Sequence, residues 1–372
     1  MEMARTRHRV GSGRTRARVA VIRTKPETVL DDTARMMRGL DYTRALAKGR
    51  RTILKDNISW HLPFLSANTT PWQLEGVVRT LREDGYDDLL GLHNETVVTD
   101  AHRGDRLNKF EGVYRRYRVP TQDNFAPDCK WVRYEPKTPL LVLERIFGEV
   151  MVPEVLIGTN IVHLPTVKTH VYTTMTGAMK NAFGGLLKTN RHWAHTDIHK
   201  TLVDLLAIQK EIHTGMFAVT DGTICGNGAG PRAMVPVVKD YMLASDDMVA
   251  IDAVSAWLMG FDPMADVECI RVAHERGLGV GDVREIEVVG EDISEVNFEF
   301  KVTYHFAARV GRLLWFTPLA RIQALFFKTP LVHAFIWGSA FYHDHYWWPT
   351  HGTRRMAAIA ESPWARLFQK YE

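Results

Sequence analysis

Three short apolar runs near the amino terminus each break off into polar side chains, and helical patterns fill the gaps between them. Ala17–Thr24 reads ARVAVIRT, Arg51–Asn57 reads RTILKDN and Asp88–Thr96 reads DLLGLHNET. Pro26 opens a helical stretch that runs to about Leu46. Thr70 and Pro71 open a second, PWQLEGVVRTLREDG, with a threonine suited to the N-cap and a proline tolerated in the first turn. Strands that alternate with helices are expected to form a parallel sheet, because a parallel pair needs a crossover connection. Ligands in such sheets sit beyond the carboxyl ends of the strands. Lys55, Asp56, Asn57, His93, Asn94 and Glu95 are therefore expected along one edge.

Further along, residues 97–138 are irregular, and HRGDR and YRRYR read as solvated surface or a lid. Strand patterns resume at Leu140–Arg145 and Val155–Leu164. Asp197–His213 has apolar residues at helical spacing, and Met216–Asp221 is a buried-type strand followed by a glycine-rich loop, Cys225–Pro231. Tyr241–Ser245 and Glu285–Val289 read as strands, with Asp247 as N-cap of a helix that follows and another helix near 266–276. The expected fold class is α/β, a mainly parallel sheet flanked by helices, with a C-terminal aromatic-rich helical appendage. The expected organisation is a disordered basic tail (1–16), an α/β body carrying the site (17–300) and a helical C-terminal cap (301–372).

The net charge of +4 hides an uneven distribution. Residues 1–18 hold six arginines and one acid, so the rest of the chain is about −1 by subtraction. A near-neutral body lacks the basic face that nucleic acid requires, and no nucleic-acid partner is expected. Cys129, Cys225 and Cys269 are far apart in sequence. They form no zinc ribbon or disulfide framework, an iron–sulfur cluster within this chain is not expected, and a reducing cytoplasm is the default location. The chain starts without an apolar leader, and its longest apolar runs are too short to span a bilayer. Leu313–Trp348 contains eleven aromatic residues with Arg321 and Lys328 among them. That mixture suits either a peripheral membrane contact or a subunit contact, including a homo-oligomer.

Chemistry-bearing side chains concentrate between Asn160 and His213. Lys168 and His170 follow an apolar run, Lys180 and Asn181 precede Gly184-Gly185, and Arg191, His192, His195, Asp197 and His199 fall within nine positions. Several cations beside glycine-rich turns favour an anionic ligand, a carboxylate or a phosphate. The glycines of 226–230 and Arg232 could serve the same ligand. Neither nucleotide-binding glycine pattern is present. His195 and His199 are four apart, so on one helix they would share a face and, with Asp221, could hold a divalent metal. The alternative is acid–base work by histidines that titrate near neutrality. Asp252 lies among apolar neighbours and needs a partner if buried.

The ordered series VHLPTVKTH, MKNAFGGLL, HTDIHKTLVDL, AVTDGTICGNGAGPR and LASDDMVAIDAVSAWLMGFDP resembles the family catalogued as domain of unknown function 362, over about residues 50–292. The chain has KDN at 55–57 where that family usually has lysine–proline–asparagine, and HNET around Glu95 where glycine–glutamate–serine is usual. Cys225 and an additional Ala229 also depart from the pattern. The resemblance implies an α/β fold and a site built from Lys55, Asn57, Lys168, His170, Lys180, Asn181, His199, Asp221, Asn227 and Asp252. It implies no particular reaction.

The expectation is an enzyme for a small anionic substrate. Lys168, His170, His195, His199 and Asp221 would do the chemistry, with Lys55, Asn57, Glu95, Lys180, Asn181, Asn227, Arg232 and Asp252 around the substrate. The alternatives are a metal-dependent redox or isomerising enzyme using His195, His199 and Asp221, and a non-catalytic binding or membrane-surface protein.

Overall fold

The alternating runs at the amino terminus become neighbours in one large sheet. The computed structural model describes residues 17–94, 96 and 98–372, so the basic tail and Glu95 lie outside the described residues. The strands are β1 (Ala17–Arg23), β2 (Thr52–Lys55), β3 (Leu89–His93), β4 (Thr121–Asp123), β5 (Trp131–Arg133), β6 (Met151–Pro153), β7 (Asn160–His163), β8 (Thr166–His170), β9 (Thr174–Met175), β10 (Gly215–Ala229), β11 (Ala233–Ser245) and β12 (Ile286–Gly290). The main sheet runs β12-β1-β11-β10-β7-β2-β3-β4, with β8 paired to the far half of β10. From β10 to β4 every pairing is parallel; Ile53 sits opposite both Ile161 and Leu90. Every residue of β2 and β7 is buried, as a parallel strand covered on both faces requires. β11 runs antiparallel to its neighbours β1 and β10, and the short β9 runs antiparallel to β8.

Helices cover both faces. α1 (Val29–Gly39), α2 (Tyr42–Ala45), α3 (Pro71–Glu83), α4 (Ala101–Leu107), α5 (Phe110–Arg116) and α6 (Leu143–Phe147) come first. They are followed by α7 (Ala178–Leu186), α8 (Ile198–Ile212), α9 (Met248–Met259), α10 (Pro263–Asp266) and α11 (Glu268–Glu275). The carboxyl-terminal part holds α12 (Phe306–Phe316), α13 (Gln323–Phe327), α14 (Val332–Ala340), α15 (Thr353–Ala358) and α16 (Pro363–Lys370). One apolar core joins α7, α8, α9 and α11 to the sheet; a second joins α1, α3, α5 and α16 to it. The last helix thus belongs to the body as well as to the appendage. Trp364 lies against Trp72 at a ring separation of 5.2 Å, and the Trp364 indole N–H donates to Asp240 at 2.6 Å.

Three local expectations change. Residues 140–145 do not form a strand. Asp204 on α8 accepts the backbone N–H groups of Leu141, Val142 and Leu143 at 2.7, 2.8 and 3.0 Å, and this holds the start of α6. The glycine stretch 225–230 is not a free loop, because most of it lies in β10, where Gly226 pairs with Pro236 and with Lys168. A Cβ at Gly226 would stand 2.4 Å from the Met234 sulfur, so glycine serves close packing there. The irregular 97–138 region contains α4 and α5, and Phe110, Val113 and Tyr114 of α5 are buried.

Candidate functional site

β2 and β7 end side by side at Lys55 and His163, β8 continues beyond them along β10, and polar side chains collect there. Lys55 is the last residue of β2 and is only 2% exposed. Its ammonium donates to the Asp56 carbonyl at 2.5 Å and stands 3.9 Å from the Asp56 carboxylate. Burial, opposed by Asp56, pulls the Lys55 ammonium down to about 8. The Asp56 carboxylate also accepts from the Tyr114 hydroxyl at 2.8 Å and faces His93 Nδ1 at 3.3 Å. Burial pushes the Asp56 carboxyl up, but His93, Lys55 and Tyr114 outweigh it and hold it below the ordinary range. The same pairing raises His93 against its burial. Asp105, nearby and largely buried, is pushed up to about 6.

Lys168 lies mid-way along β8 and is 1% exposed. Its ammonium donates to the Ser59 hydroxyl at 2.8 Å and to the Ala67 carbonyl. Asn57 bonds the same two groups, donating to the Ala67 carbonyl and accepting from Ser59. The segment 57–69 is therefore wrapped around the lysine by neutral oxygens, and among the described residues no carboxylate is paired with it. Burial and the nearby Lys180 drive the Lys168 ammonium well below its ordinary value.

Lys180, in the first turn of α7, has no hydrogen bond or ion pair among the described residues; its ammonium lies 5.4 Å from the Phe183 ring centroid. Burial, with Arg191 adding repulsion, lowers it to about 8. Arg191 is buried and also acts electrostatically on Lys55 and His195. Asn181 ties α7 to the strand ends, donating to the Lys55 carbonyl at 2.7 Å and to His163 Nδ1 at 3.3 Å.

Two neutral imidazoles accompany these cations. His170 Nδ1 accepts the Tyr172 N–H at 3.2 Å, which leaves the proton on Nε2. His195 Nδ1 lies 2.8 Å from the His192 carbonyl, so it carries the proton and Nε2 keeps the lone pair. Burial and then Lys180 hold His170 well below its ordinary value, and burial takes His195 to about 4. Neither Nε2 has a hydrogen-bond partner among the described residues. One ring can donate there and the other can accept.

Other expected site residues are committed elsewhere. Asp221 lies inside β10, where it accepts from the Thr70 hydroxyl and from the Thr223 N–H at 2.6 Å; it anchors the start of α3. His199 Nδ1 accepts the Cys269 N–H at 3.2 Å and the ring also bonds the Tyr172 backbone, so it joins α8 to α11. His195 lies in a 3-10 segment (Thr189–Asp197) and His199 in α8, so the pair does not share one α-helix. Among the described residues no three His, Cys, Asp or Glu side chains are grouped as a metal would require, and the trio His195, His199 and Asp221 is not brought together. Asn227 accepts the Lys301 N–H at 2.9 Å. Arg232 sits in a separate locus with His305, His343 and Asp344 under the carboxyl-terminal segment, and burial lowers it to about 10. Asp252 caps α7 from a neighbouring helix, accepting from Ala178 and Met179.

The site thus consists of Lys55, Lys168, Lys180, Arg191, His170 and His195, braced by Asn57, Ser59 and Asn181. Sequence reading placed Asp56 and His93 at the strand ends but missed their joint hold on Tyr114, which sits among the cations of YRRYR. The appendage covers part of the site. The Trp315 ring stacks on His195 at 5.1 Å, and the Phe327 carbonyl accepts from the Trp193 indole at 3.1 Å. Cavities among the described residues lie elsewhere. One of about 170 Å³ is walled by Trp131, Phe147, Leu186 and Leu205, and one of about 310 Å³ lies at the amino-terminal end of β10. The first is mostly apolar, and neither contains a lysine of the cluster.

Fold and site define an α/β protein with a buried basic cluster at the carboxyl ends of its parallel strands. The sequence profile of the family described as "Domain of unknown function (DUF362)" matches residues 52–257, and the chain belongs to that family. It is 27% identical over 219 residues to a thylakoid-associated protein of Synechocystis sp.. That match covers 58% of this chain and 64% of the relative, so the chain spans less than two thirds of the relative's length. A solved protein from Thermotoga maritima is similar at 14% identity with a TM-score of 0.38, covering 58% of this chain and 55% of that one. No helix among the described residues is long and apolar enough to cross a membrane.

Proposed function

We propose that the chain binds a small anion, a carboxylate or a phosphate, at the basic cluster, and that it is an enzyme acting on that anion by acid–base chemistry. The observation that carries this reading is that, among the described residues, no carboxylate is paired with Lys168 or Lys180. Lys168 is held by neutral oxygens, Lys180 has no polar partner among the described residues, and Asp56 is shared between Lys55 and His93. Burying cations without counter-charge is costly, and a bound anion would offset that cost. Lys168, Lys180 and Arg191 would hold the anion, with Lys55 behind them. His195 Nε2 would accept a proton and His170 Nε2–H would donate one. Burial and the neighbouring cations hold both rings below their ordinary values, and a bound anion beside them would pull both back up toward neutrality, where they can exchange protons.

The cytoplasm is the proposed location. Cys129, Cys225 and Cys269 are all buried and unpaired, which suits a reducing compartment. The relative's name places that protein at thylakoids and specifies no chemistry. A thermal-shift panel of inorganic phosphate, acetate, malonate and citrate tests the reading. At least one anion is expected to raise the melting temperature of the wild type but not of Lys180→Met. No shift with any of the four would refute it.

A further inference from the structure

We propose that the outer face of α12, α13 and α14 docks on the surface of an anionic lipid bilayer. This goes beyond the anion-binding reading and does not depend on it. Thirteen large apolar side chains are exposed among the described residues, and ten of them fall between Phe306 and Tyr346. Such concentration marks an interaction surface, whereas scattered exposed apolar residues would not. On α12 the exposed positions Phe306, Leu313 and Phe316 follow helical spacing, while Ala308, Leu314 and Trp315 face the protein. Leu325 on α13 and Trp337 on α14 extend the surface, at 57% and 69% exposure.

Charge selects the occupant. From Phe306 to His343 the sequence contains Arg309, Arg312, Arg321 and Lys328 and no aspartate or glutamate. Arg309, Arg312 and Lys328 are exposed beside the apolar side chains. A run of cations with no acid, set beside exposed apolar side chains, fits a bilayer surface, which accepts apolar side chains below its headgroups and cations at them. Anionic headgroups add roughly 1 kcal/mol for each basic residue near the surface. Among the described residues no helix is long and apolar enough to cross a bilayer, so the proposed contact is a face lying on its surface. Because Trp315 stacks on His195, and Phe327 is bonded to Trp193, docking would hold the basic cluster close to the lipid interface.

Vesicle flotation of the full chain tests this. The protein is expected to float with vesicles of phosphatidylcholine mixed with phosphatidylglycerol, and at least about tenfold less with phosphatidylcholine alone. Added salt should reduce flotation. Leu325→Glu combined with Trp337→Glu is expected to remain at the bottom while keeping the wild-type melting temperature. Arg309→Glu combined with Lys328→Glu leaves the apolar surface intact and provides an independent check; it is expected to lose flotation as well. The proposal is overturned if the wild type stays at the bottom with phosphatidylglycerol vesicles. It is overturned equally if flotation is the same on both vesicle types, or if the chain forms a concentration-dependent dimer and does not float.

Discussion

Asp252 on α9 caps the helix that carries Lys180. Its two carboxylate oxygens accept the backbone N–H groups of Ala178 at 2.6 Å and Met179 at 3.0 Å. A helix start leaves such groups without internal partners, and a negative charge there is favoured by the helix dipole. The position of Lys180 in the basic cluster therefore depends on a residue of another helix. Asp252 is buried, and burial, against the pull of those two N–H groups, raises its carboxyl to about 7.

Replacing Asp252 by alanine leaves two N–H groups of a buried helix start unpaired and is expected to destabilise the protein by about 1–3 kcal/mol. Urea unfolding measures this. Asp252→Asn keeps one acceptor oxygen and should fall between the two.

The same carboxyl links stability to pH. Its folded value lies above the ordinary 3.8. Between those two values the folded state holds a proton that the unfolded state has released. Its contribution is thus fully present below pH 3.8 and is lost as pH rises through 7. Asp252→Asn has no proton to lose, so the difference in unfolding free energy between wild type and variant should change over that interval and level off above it.

Gly177 immediately precedes α7 and has no room for a side chain. A Cβ there would stand 2.2 Å from Asp252 Oδ1. Gly177→Ala must push the cap aside and is expected to cost about 1–3 kcal/mol. It should also lower anion affinity, because Lys180 moves with the helix. Unfolding and titration on the same preparation check both.

Trp364→Ala tests the attachment of α16. Trp364 is 1% exposed and packs on Trp72. The variant is expected to lose about 3–5 kcal/mol of stability. If α16 were a detachable appendage, the unfolding midpoint of the body would not move.

Much of this was legible in the chain, in proportion to how local the signal is. The strands at 17–24 and 51–57 and the helix opened by Thr70-Pro71 were readable because alternation and capping chemistry act within a few residues. Lys168 and Lys180 stood out because lysine seldom follows a buried-type strand or precedes a glycine turn. Residues 140–145 read as a strand because the Asp204 carboxylate that caps this segment as a helix lies about sixty residues away in sequence. The glycines of 226–230 looked like an anion loop because glycine serves tight turns and close strand packing equally. The pairing of His195 with His199 assumed a continuous α-helix, and the 3-10 segment before α8 breaks that register. Asp221 was read as pointing off a strand end, yet β10 continues well past it, and Thr70 and Thr223 take up its carboxylate.

Binding should also follow the lysines through their titration. Lys55 and Lys180 both lie at about 8 in the unliganded protein. Affinity for a fully ionised anion is expected to fall as pH rises through 8. Each linked proton contributes a slope of about tenfold per pH unit. Titration calorimetry across pH 6 to about 10 records it.

Titration calorimetry on Lys168→Met and Lys180→Met tests the central claim most directly, with the anion that gives the largest thermal shift. Each change removes a charged hydrogen-bond donor and is expected to weaken binding by on the order of tenfold to a hundredfold. Folding stability should be unchanged or improved, because a buried uncompensated charge is gone. Unaltered affinity in both variants, with the wild-type fold intact, would show that the basic cluster is not where the anion binds.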